Sequence, residues 1–389
     1  MKILYIASST SWGGDSVALY NLIKGLYKRH EIHVLFPYGN GRFCEELNKI
    51  GVKYSFAHYG LHIYPRCSSL KWIYRLGRTI YTNYCAKRTV KRIVEDFCPD
   101  IVHNNVGPLD ISFDVCRKKN IPHIWHQREY QDKDFGMTFI PNKSYYQKRI
   151  LKRGNYNIAI TQGVFLHWNL RTGIDKVIYD GVFDKESLPI YIPNQRKDKY
   201  FLFVGRIEEA KGTLDAIKAF ELFTPYGKDY KLLIAGKVSL NSSYYRKCKE
   251  YVENSSLNDK VLFLGERNDI YTLMSNAQAL LVPSRFEGFG FITTEAMACD
   301  CLVIGRDTGG TKEQFDRGYN LTGQEIAFRF RTIEEMAEQM KKTVDCTFEN
   351  MRMNAREVVL NNYTIKNHIN LMEKYYNFIV EFYEKENKE

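Results

Sequence analysis

The chain has 389 residues, enough for two domains of ordinary size. Its 44% apolar and 26% charged residues exclude a disordered chain, a collagen and a coiled coil. Lys and Arg total 56 against 45 Asp and Glu, a net of +11, and no charge-free apolar run reaches the ~18 residues of a membrane-crossing helix. The nine cysteines form no Cys-x-x-Cys pattern, and only Cys299 and Cys301 lie close together. That argues for a reducing compartment, against a disulfide framework and against a structural zinc site. The apolar start, Met1 to Ala7, is too short for a signal peptide, so a cytoplasmic location is expected.

The first half alternates short apolar runs with amphipathic stretches. Lys2 to Ala7 reads as a strand, Ser8 to Asp15 as a polar Gly-containing turn and Ser16 to Lys28 as a helix. His33 to Phe36, Ile101 to His103, His123 to Trp125 and Asn157 to Ile160 are further strand candidates. Asp184 to Tyr200, with Pro189 and Pro193, reads as a linker. The alternation then restarts with Phe201 to Val204, Leu232 to Ala235, Val261 to Leu264, Ala279 to Val282 and Leu302 to Ile304. Strands alternating with helices predict an α/β protein with two tandem doubly wound units, each with a parallel sheet. Ligands of such units sit at the C-terminal ends of the strands, and a central cleft between the units is the expected site. The tail, Ile365 to Glu386, carries Ile369, Leu371, Met372, Tyr375, Tyr376, Ile379 and Phe382 at helical spacing.

The positive charge is confined to the first half. Residues 1–200 hold 31 Lys or Arg and 17 Asp or Glu, a net of +14, whereas residues 201–389 hold 25 and 28, a net of −3. The densest stretch, 61–94, contains Arg66, Lys71, Arg75, Arg78, Lys87, Arg88, Lys91 and Arg92, with no acid. Trp72, Tyr74, Tyr81 and Tyr84 are interleaved. This composition fits an anionic membrane surface, with a solvated helix face as the plainer reading; nucleic acid is not the expected partner.

Two clusters carry chemistry. Pro283 to Glu295 follows a strand candidate and contains Glu287, Gly288, Phe289, Gly290 and Glu295. Gly288 to Gly290 would form a tight turn at a helix N-terminus, where free N–H groups and the helix dipole bind phosphate. Glu295, on the first or second helical turn, could accept two hydrogen bonds from a ribose diol. The second cluster, Val204 to Gly212, also follows a strand and sets Arg206 and Lys211 beside flexible backbone. Two such cations would neutralise a diphosphate without a metal. Asp132-Lys133-Asp134 spells a metal-binding Asp-x-Asp, but it lies in a polar stretch between strand candidates, and no metal site is expected there.

Gly205-Arg206 with Lys211-Gly212, then Glu287-Gly-Phe-Gly with Glu295, then Gly309-Gly310 with Glu313, resembles the family 4 glycosyltransferases of the GT-B fold. Gly13-Gly14 looks like that family's N-terminal glycine loop, and Asp180-Gly181-Val182 like its interdomain Asn-Gly-Val, with Asp in the Asn place. The resemblance implies a retaining, nucleotide-sugar-dependent transferase with no cofactor and no metal. In it, Arg206 and Lys211 hold and stabilise the leaving diphosphate, and Glu295 holds the ribose. Glu287 contacts the donor sugar, with Gly288, Phe289 and Gly290 orienting it. Gly13 and Gly14 lie near the diphosphate, and His126 lies near the transferred sugar. A front-face route needs no protein nucleophile; Glu287 as a covalent nucleophile is the alternative. The loop Glu266 to Asn268 is a candidate base contact.

The resemblance further implies domains at 1–183, basic and acceptor-binding, and 201–362, binding the nucleotide sugar. A linker at 184–200 joins them. A C-terminal helix at 363–389 is expected to pack back on the first domain, although periodicity does not name its partner. The donor is expected to be a UDP-sugar, with a GDP-sugar second. The acceptor is expected to be a glycan, lipid diphosphate-linked, in capsule, O-antigen or other lipopolysaccharide synthesis, with the protein held peripherally at the inner face of the membrane. A sugar-nucleotide epimerase of the same fold and a non-catalytic membrane-surface protein are the rival readings. The oligomeric state is not legible.

Overall fold

A computed structural model describes residues 1–65, 71–192, 196–238, 242–255 and 257–386, with the backbone alone at 71 and 72. Arg66, the side chains of Lys71 and Trp72, and Pro193 therefore lie outside the described residues. The chain divides into two compact units. The first joins Met1–Gly181 to the segment from Ile365, and the second is Val182–Thr364.

The first unit is built on strands β1 (Lys2–Ile6), β2 (Glu31–Phe36), β3 (Lys53–Phe56), β4 (Ile63–Pro65), β5 (Ile101–Asn104), β6 (His123–Gln127), β7 (Met137–Phe139), β8 (Asn155–Ala159) and β9 (Lys176–Val177). Seven of them form a parallel sheet in the order β3-β2-β1-β5-β6-β8-β9, while β4 and β7 pair antiparallel. Alternation along β1 sends Ile3 and Tyr5 to one face and Leu4 and Ile6 to the other. Both faces are covered, which is why the strands read as continuous apolar runs.

On the Leu4 face lies the 27-residue helix Lys71–Phe97, packing through Ala86, Val90, Ile93 and Val94. Its opposite side leaves Ile73, Tyr74, Ile80, Tyr81 and Tyr84 exposed, each by half or more. Among the described residues, no helix is long and apolar enough to cross a membrane.

On the Ile3 face lie helix Gly14–Leu26 and, beside it, the C-terminal helix Ile365–Glu386. The second presents Met372, Tyr375, Tyr376 and Ile379 to the sheet core. Tyr376 Oη lies 3.1 Å from Tyr5 Oη and 2.6 Å from His103 Nδ1. Tyr375 Oη donates to the carbonyls of Asn157 and Ile174 at 3.2 and 3.0 Å. The C-terminal helix thus belongs to the first unit, although nearly 190 residues separate it from that unit's last strand.

The second unit contains β10 (Tyr200–Val204), β11 (Lys231–Ala235), β12 (Val261–Gly265), β13 (Ala279–Val282), β14 (Val303–Arg306) and β15 (Phe328–Phe330). They form a parallel sheet in the order β12-β11-β10-β13-β14-β15. Phe201, Phe203, Leu232, Ile234 and Leu281 share its core with Ile217 and Phe220 of helix Thr213–Phe223 and Met336 and Met340 of helix Ile333–Asp345. The segment 184–200 is not a free-standing linker. It belongs to this unit, Tyr200 opens β10, and the half-buried Lys197 donates to the carbonyls of Ser275 and Asp300 at 2.7 Å.

Ile379 is fully buried in the first unit's core. Truncation to Ala removes its apolar area and leaves a cavity, so Ile379→Ala should destabilise that unit by about 2–5 kcal/mol. Denaturant unfolding measures this; a loss under about 0.5 kcal/mol would mean that the C-terminal helix is only loosely attached.

Candidate active site

In the second unit the chain runs from β10 out to β11 and β12 on one side, then returns to β13 and β14 on the other. The switch point therefore lies between β10 and β13, where loops leave the strand ends in opposite directions and a ligand fits between them. Both sequence clusters are at this point: 205–212 follows β10, and 283–290 follows β13.

Glycines hold the two loops together. Gly212 adopts a left-handed conformation, φ 72°, and a Cβ on it would stand 2.4 Å from the carbonyl oxygen of Pro283. Next to it the Arg285 N–H donates to the Ala210 carbonyl at 2.9 Å. On these loops Lys211 Nζ donates to Glu287 Oε1 at 2.7 Å, both side chains being partly exposed. Arg206 is more open, and its guanidinium pairs with Glu208 at 3.1 Å.

Behind the turn, Gly309 and Gly310 open helix Gly309–Thr322 after β14. A Cβ on Gly310 would stand 2.3 Å from the Phe289 carbonyl oxygen, and one on Gly309 2.5 Å from that of Glu287. The Gly310 N–H donates to the Glu287 carbonyl at 2.8 Å, and Gln314 Nε2 to the Phe289 carbonyl at 2.7 Å. Phe289 itself is buried. Fixed from behind, the turn reaches Gly290, φ 88°, which begins helix Phe291–Ala298. The Thr293 N–H turns back to the Gly290 carbonyl at 3.1 Å, while a helix leaves the N–H groups of its opening residues, here Phe291 and Ile292, without an intrahelical acceptor, so the turn suits an anion.

Glu295 is the fifth residue of this helix and is half-buried. Burial pushes its carboxyl up to about 7, against the lowering effect of the Tyr271 hydroxyl, which lies 3.5 Å away. The sequence thus placed Arg206, Lys211, Glu287, Gly288, Phe289 and Gly290 on loops that the fold brings together, and Glu295 on the helix that follows them. Gln314 was not foreseen. Its signal would have been its place one turn into the helix that begins at the Gly309-Gly310 pair. The loop 266–268 follows β12, with Arg267 bound to Asp269 at 2.6 Å.

In the first unit Gly13 stands at the N-terminus of helix Gly14–Leu26 in extended backbone, and Gly14 is exposed. His126 differs from expectation. Its side chain is fully buried, with Nδ1 at 3.3 Å from His103 Nε2 and 3.4 Å from Arg128 Nη2. Burial and the Arg128 charge hold the ring well below its usual range, hence neutral. Both faces of this sheet are covered, so here His126 is part of a buried network with no exposed surface, and its Nε2 has no hydrogen-bond partner among the described residues.

A second residue that the sequence reading passed over is Arg128. Buried just past β6, it pairs with Asp180 and donates from Nε to the Asn105 carbonyl at 2.9 Å. His368, on the C-terminal helix, lies 3.9 Å from the other Asp180 oxygen. A buried arginine one residue beyond an apolar strand, with a distant Asp before a Gly, was the available signal. The Asp132-Lys133-Asp134 carboxylates are engaged by protein groups: Lys143 at 2.7 Å and His167 at 2.9 Å on Asp132, and the Tyr130 N–H at 2.8 Å on Asp134.

For Glu295 the sign of the pH effect follows directly. Its folded value is raised, so its contribution to stability is full below its ordinary value near 4.5 and is lost as pH rises through about 7. The difference in unfolding free energy between wild type and Glu295→Gln should therefore change across that window and level off above it. A difference that stays flat across the window would show that Glu295 is not desolvated.

The family described as "Glycosyl transferases group 1" matches residues 184–358. The chain is 34% identical over 331 residues, 79% of each chain, to an uncharacterized glycosyltransferase, MJ1178, of Methanocaldococcus jannaschii. It is 28% identical over 189 residues, 48% of this chain, to the lipopolysaccharide core biosynthesis mannosyltransferase LpsB of Rhizobium meliloti, and that match spans half of the Rhizobium protein. The structure of Anabaena Alr3699/HepE in complex with UDP superposes with a TM-score of 0.76 over 96% of this chain and 99% of that one, at 19% identity. The fold is GT-B.

Proposed function

The chain belongs to the group 1 glycosyltransferases, and from that membership we propose that it moves a sugar from a nucleoside-diphosphate sugar to a glycan acceptor. The single observation that carries this reading is the Lys211–Glu287 pair at 2.7 Å, mounted on a glycine-backed turn at the switch point of the sheet. Separation of that pair yields what the donor needs: a cation for the diphosphate and a carboxylate for the sugar hydroxyls.

Breaking the anomeric C–O bond builds positive character on the sugar and negative charge on the departing phosphate. Lys211, once parted from Glu287, joins Arg206 and the N–H groups following Gly290 as the donors for that charge, and donors aimed at developing charge lower such a barrier. Glu295 takes the ribose diol. We take the two cations and the helix terminus to be the counter-charge of the diphosphate, with no metal in that role. The acceptor attacks from the side that the phosphate leaves, the phosphate oxygen takes the acceptor's proton, and configuration is retained. No protein nucleophile is needed, and Glu287 serves the sugar hydroxyls.

UDP is the favoured nucleotide, supported by the UDP complex of the Anabaena protein, with GDP second. The role in surface polysaccharide synthesis is supported by the lipopolysaccharide core enzyme among the relatives. A lipid-linked acceptor at an anionic membrane face is supported by helix Lys71–Phe97, whose exposed Ile73, Tyr74, Ile80, Tyr81 and Tyr84 share a face with Arg78 and Arg88.

Thermal unfolding with UDP or GDP, each with and without EDTA, tests the donor site. Nucleotide at a hundred times its dissociation constant should add about 2.7 kcal/mol, with no change on adding EDTA. Lys211→Ala combined with Arg206→Ala should abolish the shift. A shift that needs a divalent metal, or that survives the double substitution, would remove these cations from the diphosphate site.

A further inference from the structure

On the first unit, the helices Lys71–Phe97 and Phe113–Lys118 enclose a groove of about 480 Å³. Six cations line it, against one carboxylate, Asp114. Lys87 is committed to Asp114 at 2.9 Å, and Lys119 to Glu95 at 2.7 Å, with Lys91 at the outer limit of the same Glu95 at 3.9 Å. Arg88, Arg117 and Lys118 are exposed and have no acidic partner among the described residues. Arg117 and Lys118 lie in the last turn of their helix, whose carbonyl end favours cations and holds them at this spot. Arg88 lies over the Tyr84 ring at 5.2 Å, which fixes the direction of its guanidinium.

Tyr84 also begins the exposed apolar row. Tyr81, Ile80, Tyr74 and Ile73 continue it along the same helix at intervals of three, four, ten and eleven residues, hence on one face. A phosphate in the groove would therefore have an apolar surface running away from it, which suits an amphiphile better than a free anion. Three unpaired cations exceed what the single charge of a phosphodiester requires. They match a phosphomonoester, which carries about −1.5 to −2 near neutral pH and three acceptor oxygens.

We propose that this groove binds the phosphomonoester head group of an anionic lipid in preference to a phosphodiester. The proposal rests on the peripheral membrane association inferred above and is independent of the transfer chemistry. It adds Arg117 and Lys118, outside the basic stretch 61–94, to the lipid-contacting surface.

The test is sedimentation of the full chain with phosphatidylcholine vesicles containing phosphatidic acid, or phosphatidylglycerol matched for charge. The wild type should prefer the phosphatidic acid vesicles. Arg117→Glu with Lys118→Glu should weaken that binding on the order of ten-fold or more, leaving the nucleotide-induced thermal shift intact. Arg117→Ala with Lys118→Ala, a milder pair, should act in the same direction, so the reading survives if the charge reversal disturbs folding. Equal binding to both vesicles, or double variants that bind as the wild type does, would overturn the groove while leaving membrane association in place. No binding to either vesicle would overturn both. A thermal shift with inorganic pyrophosphate alone, lost in the Arg117 and Lys118 variants, would show a free-phosphate site and overturn the lipid source. Failure of nucleotide binding with lipid preference intact would overturn only the transferase reading.

Discussion

The ion pair between Lys211 and Glu287 is the constraint from which the second unit's site follows. It joins the loop after β10 to the loop after β13 across the switch point of the sheet. Both partners are partly exposed, so the pair contributes no more than about 1 kcal/mol. A diphosphate offers Lys211 a charge-assisted hydrogen bond of about 1.5–3 kcal/mol in a site that the ligand itself dries. The exchange is therefore favourable, and it leaves Glu287 free to turn to the donor sugar. The weakness of the pair is what suits it to a binding site.

The backbone under the pair is the opposite case. Gly212, Gly309 and Gly310 stand where any Cβ would meet a carbonyl at 2.3 to 2.5 Å, so these loops rest directly on one another. The turn carrying Glu287 is held by backbone and Gln314 hydrogen bonds from behind, which restricts adjustment to the side chains in front. In the first unit, the Arg128–Asp180 pair is buried, with Arg128 also donating to the Asn105 side chain at 3.0 Å, and breaking such a pair typically costs about 3–5 kcal/mol. That pair is permanent. It fixes the residue before Gly181, whose Cβ would stand 2.5 Å from Ile365 Cα, so the chain's exit from the first unit and its return are held side by side.

Much of this was legible in the sequence because local chemistry dictated it. Uninterrupted apolar runs such as Ile101 to His103 and Ala279 to Val282, short as they are, were legible as strands because a parallel sheet covered on both sides needs nothing else. The glycine clusters were legible because close backbone contact admits no other residue. The strands Lys53–Phe56, Ile63–Pro65 and Phe328–Phe330 were not, since a charged residue or a proline interrupts each within three or four positions. The burial of His126 was not legible because a position at a strand end does not say what its ring packs against. The partner of the C-terminal helix was hidden for a related reason: periodicity defines a buried face and is silent on what covers it. Tyr5 and His103, which receive Tyr376, lie more than 270 residues away.

The most direct test of the exchange at Lys211 is calorimetric titration of UDP into the wild type and Glu287→Gln. If the carboxylate competes with the diphosphate for the lysine, removing its charge should tighten UDP binding, by up to about five-fold for a pair of this exposure, while sugar transfer is lost. Unchanged or weaker UDP binding in Glu287→Gln would contradict the account, because Lys211 would then not be the cation that the nucleotide takes from Glu287.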